Sequence, residues 1–397
     1  MNLRAVATLV PLFVCACGGG SPPGGSGKPG NEDPEICGDR IDGDGDGQDD
    51  FADPDCVLGM DALQGLQSVA DDSLGAVGAL LLGIEDAHGK VGLVASGFAA
   101  KGGRDLVPTD RMAIGSMTKT MVATVVLQLR DEGNLSLEDS LEKWLPDFPR
   151  AEQIELRHLL SHTSGVFDFT WDSTFSDRIA SGASITVDEM VEVAASHAPL
   201  FDPGAGWSYS NSNYILLGRV IEMVTGHTAA VELRRRIFEP MGMHDTFLLG
   251  SEEVPGGLQV HGYVQGGLGW IDFTDQWNGT GAWTAGGIVS TTPDILRFSH
   301  GLVQGELLAP ETFAEMTRNP SPMDEGSLQY GLGIILGAGW IGHDGAVPGW
   351  MAQWVHMEDG TTVVVMQNRL DDAAALSRAI VGTAELLGLR SSSTASP

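Results

Sequence analysis

The sequence predicts an α/β protein: one antiparallel sheet assembled from both ends of the chain around a mainly helical middle. Three observations carry this. Residues 75–98 are rich in Gly, Val, Leu and Ile, turn near Asp86–Lys90, and read as a strand hairpin. Apolar runs over 334–367 read as further strands, followed by a helix from about Asp371 to Leu387. The stretch 130–320 between them reads as mainly helical.

Within that frame, Ala113 to Leu129 predicts a helix apolar on most sides that stops at Gly133, hence central and buried. The turn-rich run Phe201-Asp-Pro-Gly-Ala-Gly-Trp-Ser-Tyr-Ser-Asn211 predicts a loop leading into a helix over Ile215–Val224. The globular pattern extends over 62–388, and residues 389–397, ending Ser-Ser-Ser-Thr-Ala-Ser-Pro, are expected to be disordered.

Composition bounds the function. The 397 residues carry 22 Lys+Arg against 53 Asp+Glu, a net charge of −31, which excludes a basic phosphate-binding surface and hence nucleic acid as a partner. The same charge argues against an anionic membrane surface. A hydrophobic fraction of 42% excludes wholesale disorder. No apolar run approaches the roughly 18–20 residues needed to cross a bilayer. The charge is uneven: residues 31–56 hold eleven acids and one arginine.

The front end reads as an address. Met1-Asn2-Leu3-Arg4 precedes an apolar run from Ala5 to Cys17, the form of a signal peptide over 1–17. Val14-Cys15-Ala16-Cys17 resembles a bacterial lipobox, so Cys17 is the expected lipidation site; plain secretory cleavage is the alternative. The chain is then expected to be exported and held in the periplasm or on the cell surface, touching membrane only through that anchor. Residues 18–36, Gly- and Pro-rich, read as a flexible tether.

Residues 37–56 form an acidic segment bounded by cysteines. In an exported chain, Cys37 and Cys56 are expected to pair, closing a loop worth roughly 3 kcal/mol. Asp42, Asp44, Asp46, Gly47, Asp50 and Asp53 match positions of the EF-hand calcium loop, alternating hard oxygen ligands around a turn glycine. A structural Ca²⁺ is therefore one expectation. The other is a solvated acidic spacer, because position 12 is Asp rather than Glu and no helical pattern flanks the loop.

The chemistry is in the centre. Ser116 and Lys119 are spaced i, i+3, which puts both side chains on one helix face. A serine is a weak nucleophile until a neighbouring base takes its proton, and a lysine can be that base only when burial lowers its pKa. A second copy of the pattern, Ser140-Leu-Glu-Lys143, lies among acids and runs into Pro146; it reads as a solvated structural turn. Two further elements single out the first copy: Tyr209-Ser-Asn211 and His343-Asp-Gly345, in that order.

With Leu159-Leu-Ser-His-Thr-Ser-Gly165, Glu239-Pro-Met-Gly-Met243 and Ala285-Gly-Gly-Ile-Val-Ser-Thr291, the chain resembles the serine β-lactamase and penicillin-binding-protein superfamily over about 62–388. It is most similar to the class C β-lactamase-like branch, with D-alanyl-D-alanine carboxypeptidases, D-aminopeptidases and esterases. The resemblance implies a beta-lactamase-like fold: an antiparallel sheet flanked by helices plus an all-α subdomain, with the cleft between them. It implies Ser116 as acylated nucleophile, Lys119 and Tyr209 sharing base and acid work, and Asn211 positioning Lys119 and the substrate amide. It further implies His343 as a hydrogen-bond donor whose charge follows pH, and an oxyanion hole from the N–H groups of Ser116 and Ala346. No cofactor is implied for catalysis.

The third motif departs from the Lys-Thr-Gly or His-Thr-Gly of many relatives. Asp344 and Gly345 occupy substrate-binding positions, and an aspartate there repels a substrate carboxylate. No Lys or Arg occurs from Asn319 to Asn368 to compensate. The expectation therefore moves from carboxypeptidase and β-lactamase toward an esterase, amidase or D-aminopeptidase acting on a small ester, amide or peptide. In the last case Asp344 pairs with a substrate ammonium. A non-catalytic, calcium-dependent surface binding protein is the alternative of another class. His158 and His162 read as structural, and Phe167, Phe169, Trp171, Trp207 and Trp270 as mainly core with some lining an acyl pocket.

Overall fold

A computed structural model describes residues 56–74, 78–267, 269–323 and 327–388. The expected leader, lipidation site Cys17, tether, Cys37, the aspartates of the calcium loop and the tail at 389–397 lie outside the described residues.

The predicted hairpin is present as β1 (Ala79–Glu85) and β2 (Val91–Gly97). The C-terminal region supplies β3 (Ser321–Pro322), β4 (Gln329–Tyr330), β5 (Ile335–Gly337), β6 (Trp340–Val347), β7 (Trp350–Met357) and β8 (Thr362–Gln367). They form one sheet of eight strands in the order β2-β1-β8-β7-β6-β5-β4-β3. The two chain ends meet at the β1–β8 pair, antiparallel with Leu82 opposite Val365.

β1 is apolar along its whole length because both of its faces are covered. Side chains alternate across a strand. Leu80, Leu82 and Ile84 of β1, with Val363 and Val365 of β8, enter a smaller core on one face. That core is closed by Leu66 and Ala70 of α1 (Met60–Leu74) and by Leu376 and Ile380 of the C-terminal helix, Ala373–Leu386. Leu81, Val364 and Met366 point the other way, into the main core. There they meet the helix Thr292–Val303 and, beyond it, α2 (Thr118–Asp131), whose residues are buried except at its last turn and Gln128. Leu81, Leu82, Val364 and Val365 are each 0% exposed, so each contributes about 1.5–3 kcal/mol of burial.

The middle of the chain supplies the helical layer, including α3 (Asn211–Thr225). This helix starts four residues before its expected beginning at Ile215, so Asn211 is its first residue rather than part of the preceding loop. Ser210 is extended (φ −143, ψ 119) and the backbone turns helical immediately after it. No helix among the described residues is long and apolar enough to cross a membrane.

Candidate active site

Ser116 does not lie in α2 itself, as the helical pattern predicted. It occupies a 3-10 turn, Gly115–Met117, that leads directly into α2 at Thr118. The spacing still works, because the turn and the helix are continuous. Lys119 Nζ lies 3.0 Å from Ser116 Oγ.

Two glycines press this turn against β6. Gly115 has φ +54, and a Cβ there would stand 2.5 Å from the backbone nitrogen of Ala346. A Cβ on Gly345 would stand 1.9 Å from the carbonyl oxygen of Ile114 and 2.7 Å from the nitrogen of Ser116. Only residues without a side chain permit this approach. It brings the backbone of Ala346 beside the turn that carries Ser116, and Ser116 and Ala346 line the same cleft.

Lys119 is 0% exposed. Its Nζ meets Asn211 Oδ1 at 2.8 Å and the carbonyl oxygen of Ala285 at 2.6 Å, besides Ser116. Burial pulls its pKa from 10.5 down to about 7, against the opposing pull of Asp168 and Asp344. A neutral amine has two N–H bonds and one lone pair. Asn211 Oδ1 and the Ala285 carbonyl can only accept, so they take both N–H bonds. Among the described residues that meet Nζ at hydrogen-bond distance, the Ser116 hydroxyl is the one that can donate, and the lone pair is left facing it. The cage thus defines the direction in which a proton can move.

Tyr209 ends the loop before α3, with Lys119 Nζ 4.9 Å from its ring centroid. Burial holds its phenol far above its ordinary pKa, although hydrogen bonding to Ser116 pulls the other way. Tyr209 therefore keeps its phenol proton at neutral pH. Asn211 is fixed in turn: its Nδ2 donates to Asp168 Oδ2 at 3.0 Å and its backbone N–H donates to the same oxygen at 3.1 Å.

His343 differs from expectation. Its side chain is buried and is not among the cleft-lining residues. Nδ1 lies 2.5 Å from the Asp344 carbonyl oxygen, which can only accept, so Nε2 is the acceptor for the Tyr330 hydroxyl at 2.9 Å. Burial lowers its pKa to about 3, so its charge does not follow pH in the neutral range. Asp344 is 42% exposed, and its charge is felt by Lys119 and Tyr209. It acts on the site through its charge, although its side chain is not among the cleft-lining residues.

His158 caps the helix Leu156–Leu160 by accepting from the Glu155 N–H at 3.1 Å. His162 is buried with its ring 4.2 Å from that of Tyr209, a support for the tyrosine rather than a reagent. The second Ser-x-x-Lys copy is a 3-10 turn with Lys143 paired to Asp139 at the surface. Phe169 lines the cleft, whereas Trp270 lies under the Arg369 guanidinium, 4.8 Å away. Cys56 is fully buried. No group of three or more His, Cys, Asp or Glu suited to a metal occurs among the described residues.

The cleft is walled by Phe169, Ile179, Trp277, Val347, Pro348 and Leu370 around Ser116 and Asn211. Sequence reasoning missed Trp277, Asp168 and the Ala285 carbonyl. A lone acid inside the apolar run Val166-Phe167-Asp168-Phe169 was the available signal for Asp168.

The chain is similar to several known proteins. The chain is 28% identical over 276 residues to a penicillin-binding protein of Bacillus subtilis (strain 168), covering 68% of this chain and 65% of the relative. It is 28% identical over 284 residues to a D-aminopeptidase of Brucella anthropi, covering 66% of this chain and 50% of the relative. The chain thus spans between half and two thirds of these relatives. A crystal structure of D-amino acid amidase from Ochrobactrum anthropi SV3 superposes with a TM-score of 0.76 at 28% identity, covering 83% of this chain and 99% of the other. The family model described as Beta-lactamase matches residues 67–385. Matched by that model across most of its length, the chain belongs to the beta-lactamase family.

Proposed function

We propose that the protein is a serine hydrolase that transfers the acyl group of a small ester, amide or peptide to water through an acyl-enzyme on Ser116. The observation that carries this is the buried Lys119 amine, held by two obligate acceptors with its lone pair on Ser116 Oγ. Lys119 takes the hydroxyl proton as Oγ bonds to the substrate carbonyl carbon. The carbonyl electron pair moves to oxygen, which the N–H groups of Ser116 and Ala346 receive. Collapse expels the alcohol or amine, which takes a proton from Lys119 by way of the Tyr209 hydroxyl. Water repeats the sequence on the acyl-enzyme, releasing the acid and returning the proton to Ser116.

The substrate reading rests on charge. No charged side chain is among the cleft-lining residues described, and Asp344 adds a negative charge nearby. Arg369, next to Leu370 at the cleft wall, is 3.0 Å from Asp371 and stacked on Trp270. An apolar acyl group with a neutral or amine-bearing end fits better than a carboxylate. The D-aminopeptidase and amidase relatives support the same preference. D-alanyl-D-alanine carboxypeptidase or class C-like β-lactamase activity is the alternative, since relatives named penicillin-binding proteins are equally similar. A non-catalytic calcium-dependent binding role would leave function intact after Ser116→Ala.

The proposal extends to an exported lipoprotein anchored at Cys17 and a Cys37–Cys56 bridge. Cys56 is held in a disulfide, which supports the latter. A structural Ca²⁺ on Asp42, Asp44, Asp46, Asp50 and Asp53 is part of the same reading of the front end. The test of the catalytic reading is parallel turnover of a short-chain nitrophenyl ester, a D-amino-acid amide, a D-Ala-D-Ala peptide and a chromogenic cephalosporin. The ester or amide should turn over fastest. Efficient carboxypeptidase turnover would overturn the reading of Asp344.

A further inference from the structure

Lys119 can present its lone pair to Ser116 only if the Asn211 side chain offers it oxygen rather than nitrogen. The two ends of an amide have nearly the same shape, so packing alone does not choose between them. A flipped Asn211 would turn N–H bonds toward the amine and compete with Ser116 for its lone pair. Something must set the orientation.

Asp168 is placed to do so. Its side chain is 2% exposed, and no ion pair to it forms among the described residues. Four donors converge on it. Oδ2 accepts from the Asn211 backbone N–H at 3.1 Å and from Asn211 Nδ2 at 3.0 Å. Oδ1 accepts from the Thr170 N–H at 2.9 Å and the Thr170 hydroxyl at 2.8 Å. A buried carboxylate is costly unless its lone pairs are met, and here they are. Because a carboxylate only accepts, it admits one orientation of the Asn211 amide.

We infer that Asp168 is the positioning residue of the site: it holds the Asn211 amide with oxygen toward Lys119 and so aims the lysine lone pair at Ser116. This rests on the Ser116–Lys119 reading above. Asp168 also gives Lys119 a buried counter-charge, one of the two carboxylates that oppose the loss of its proton. The other titratable groups facing Lys119 are Asp344, Tyr209, Tyr214, His162 and His343.

The test is a double-mutant cycle read as the rate of covalent labelling by an activated fluorophosphonate. Asp168→Asn and Asn211→Ala should each slow labelling by roughly 10- to 100-fold, and the double variant should be within about threefold of the slower single. Multiplicative losses, or a rate for Asp168→Asn within about threefold of the parent protein, overturn the inference. A purely structural Asp168 would leave the pH profile in place. Here loss of its charge should move the acid limb of labelling by about half a unit or more to lower pH. An unmoved limb also overturns the inference.

If Asp168→Asn does not fold, Asn211→Asp keeps the Thr170 contacts and sets an oxygen against Asp168 instead of a donor. Labelling should then fall at least about tenfold, and a rate within about threefold of the parent overturns the inference. Ser116→Ala separates the two levels. If that variant still labels, the parent reading fails; if it is silent while the cycle is multiplicative, only the role of Asp168 fails.

Discussion

Lys119 Nζ stands 3.0 Å from Ser116 Oγ, with the amine fully buried and its other contacts made to oxygens that cannot donate. This relationship makes the i, i+3 spacing chemically specific. An ordinary surface lysine keeps its proton at neutral pH, and burial disfavours its charged form. Here burial supplies the low pKa and the acceptors supply the direction.

The first prediction concerns the base. Lys119→Arg retains a cation but cannot give up its proton, so acyl transfer should fall roughly 1,000-fold or more. In the parent protein the neutral amine is the active form, so acylation should rise with pH and level off above about 7. Stopped-flow acylation across pH 5–9, a range set by that value, checks both.

Stability carries a related signature. Between about 7 and 10.5 the unfolded chain keeps a proton on Lys119 that the folded chain has lost. The unfolded state binds more protons in that window, so stability should rise with pH across it, by on the order of 1 kcal/mol per unit. Lys119→Met should lack that rise in denaturant titrations, and should lose activity.

His343 predicts the acid side. Its folded pKa of about 3 lies below the ordinary 6.5, so the unfolded chain again binds the extra proton between the two values. Stability should fall as pH drops from 6.5 toward 3, and His343→Gln should weaken that fall in thermal melts.

The glycine pair is predicted to be indispensable. Gly345→Ala drives a Cβ to 1.9 Å from the Ile114 carbonyl, so the turn and β6 must separate. A loss of about 2–4 kcal/mol in stability and roughly 100-fold in acylation is expected, even if the variant folds. Calorimetry and labelling rates report the two effects separately.

Much of this was legible in the chain because the signals were local. The hairpin at 75–98 announced β1 and β2, since the strands are adjacent and the turn falls between them. Ser116 and Lys119 were legible by spacing, and Tyr209 and Asn211 by their motif. The rest depended on contacts far apart in sequence. The Ala285 carbonyl has no side-chain signature and lies 166 residues from Lys119. Asp168 is one of 53 acids, and nothing in its neighbours says that Asn211 will meet it. The His343 ring meets the Tyr330 hydroxyl, a partner on another strand of the sheet, 13 residues away in the chain. The start of α3 is not legible because Ser-Asn-Ser-Asn reads equally as loop or as helix cap.

The most direct measurement is intact-mass analysis after exposure to an activated fluorophosphonate, followed by peptide mapping. The Ser116–Lys119 mechanism predicts one adduct per chain, located on Ser116 and absent from Ser116→Ala. An adduct that persists in Ser116→Ala, or that maps to another residue in the parent protein, would contradict it.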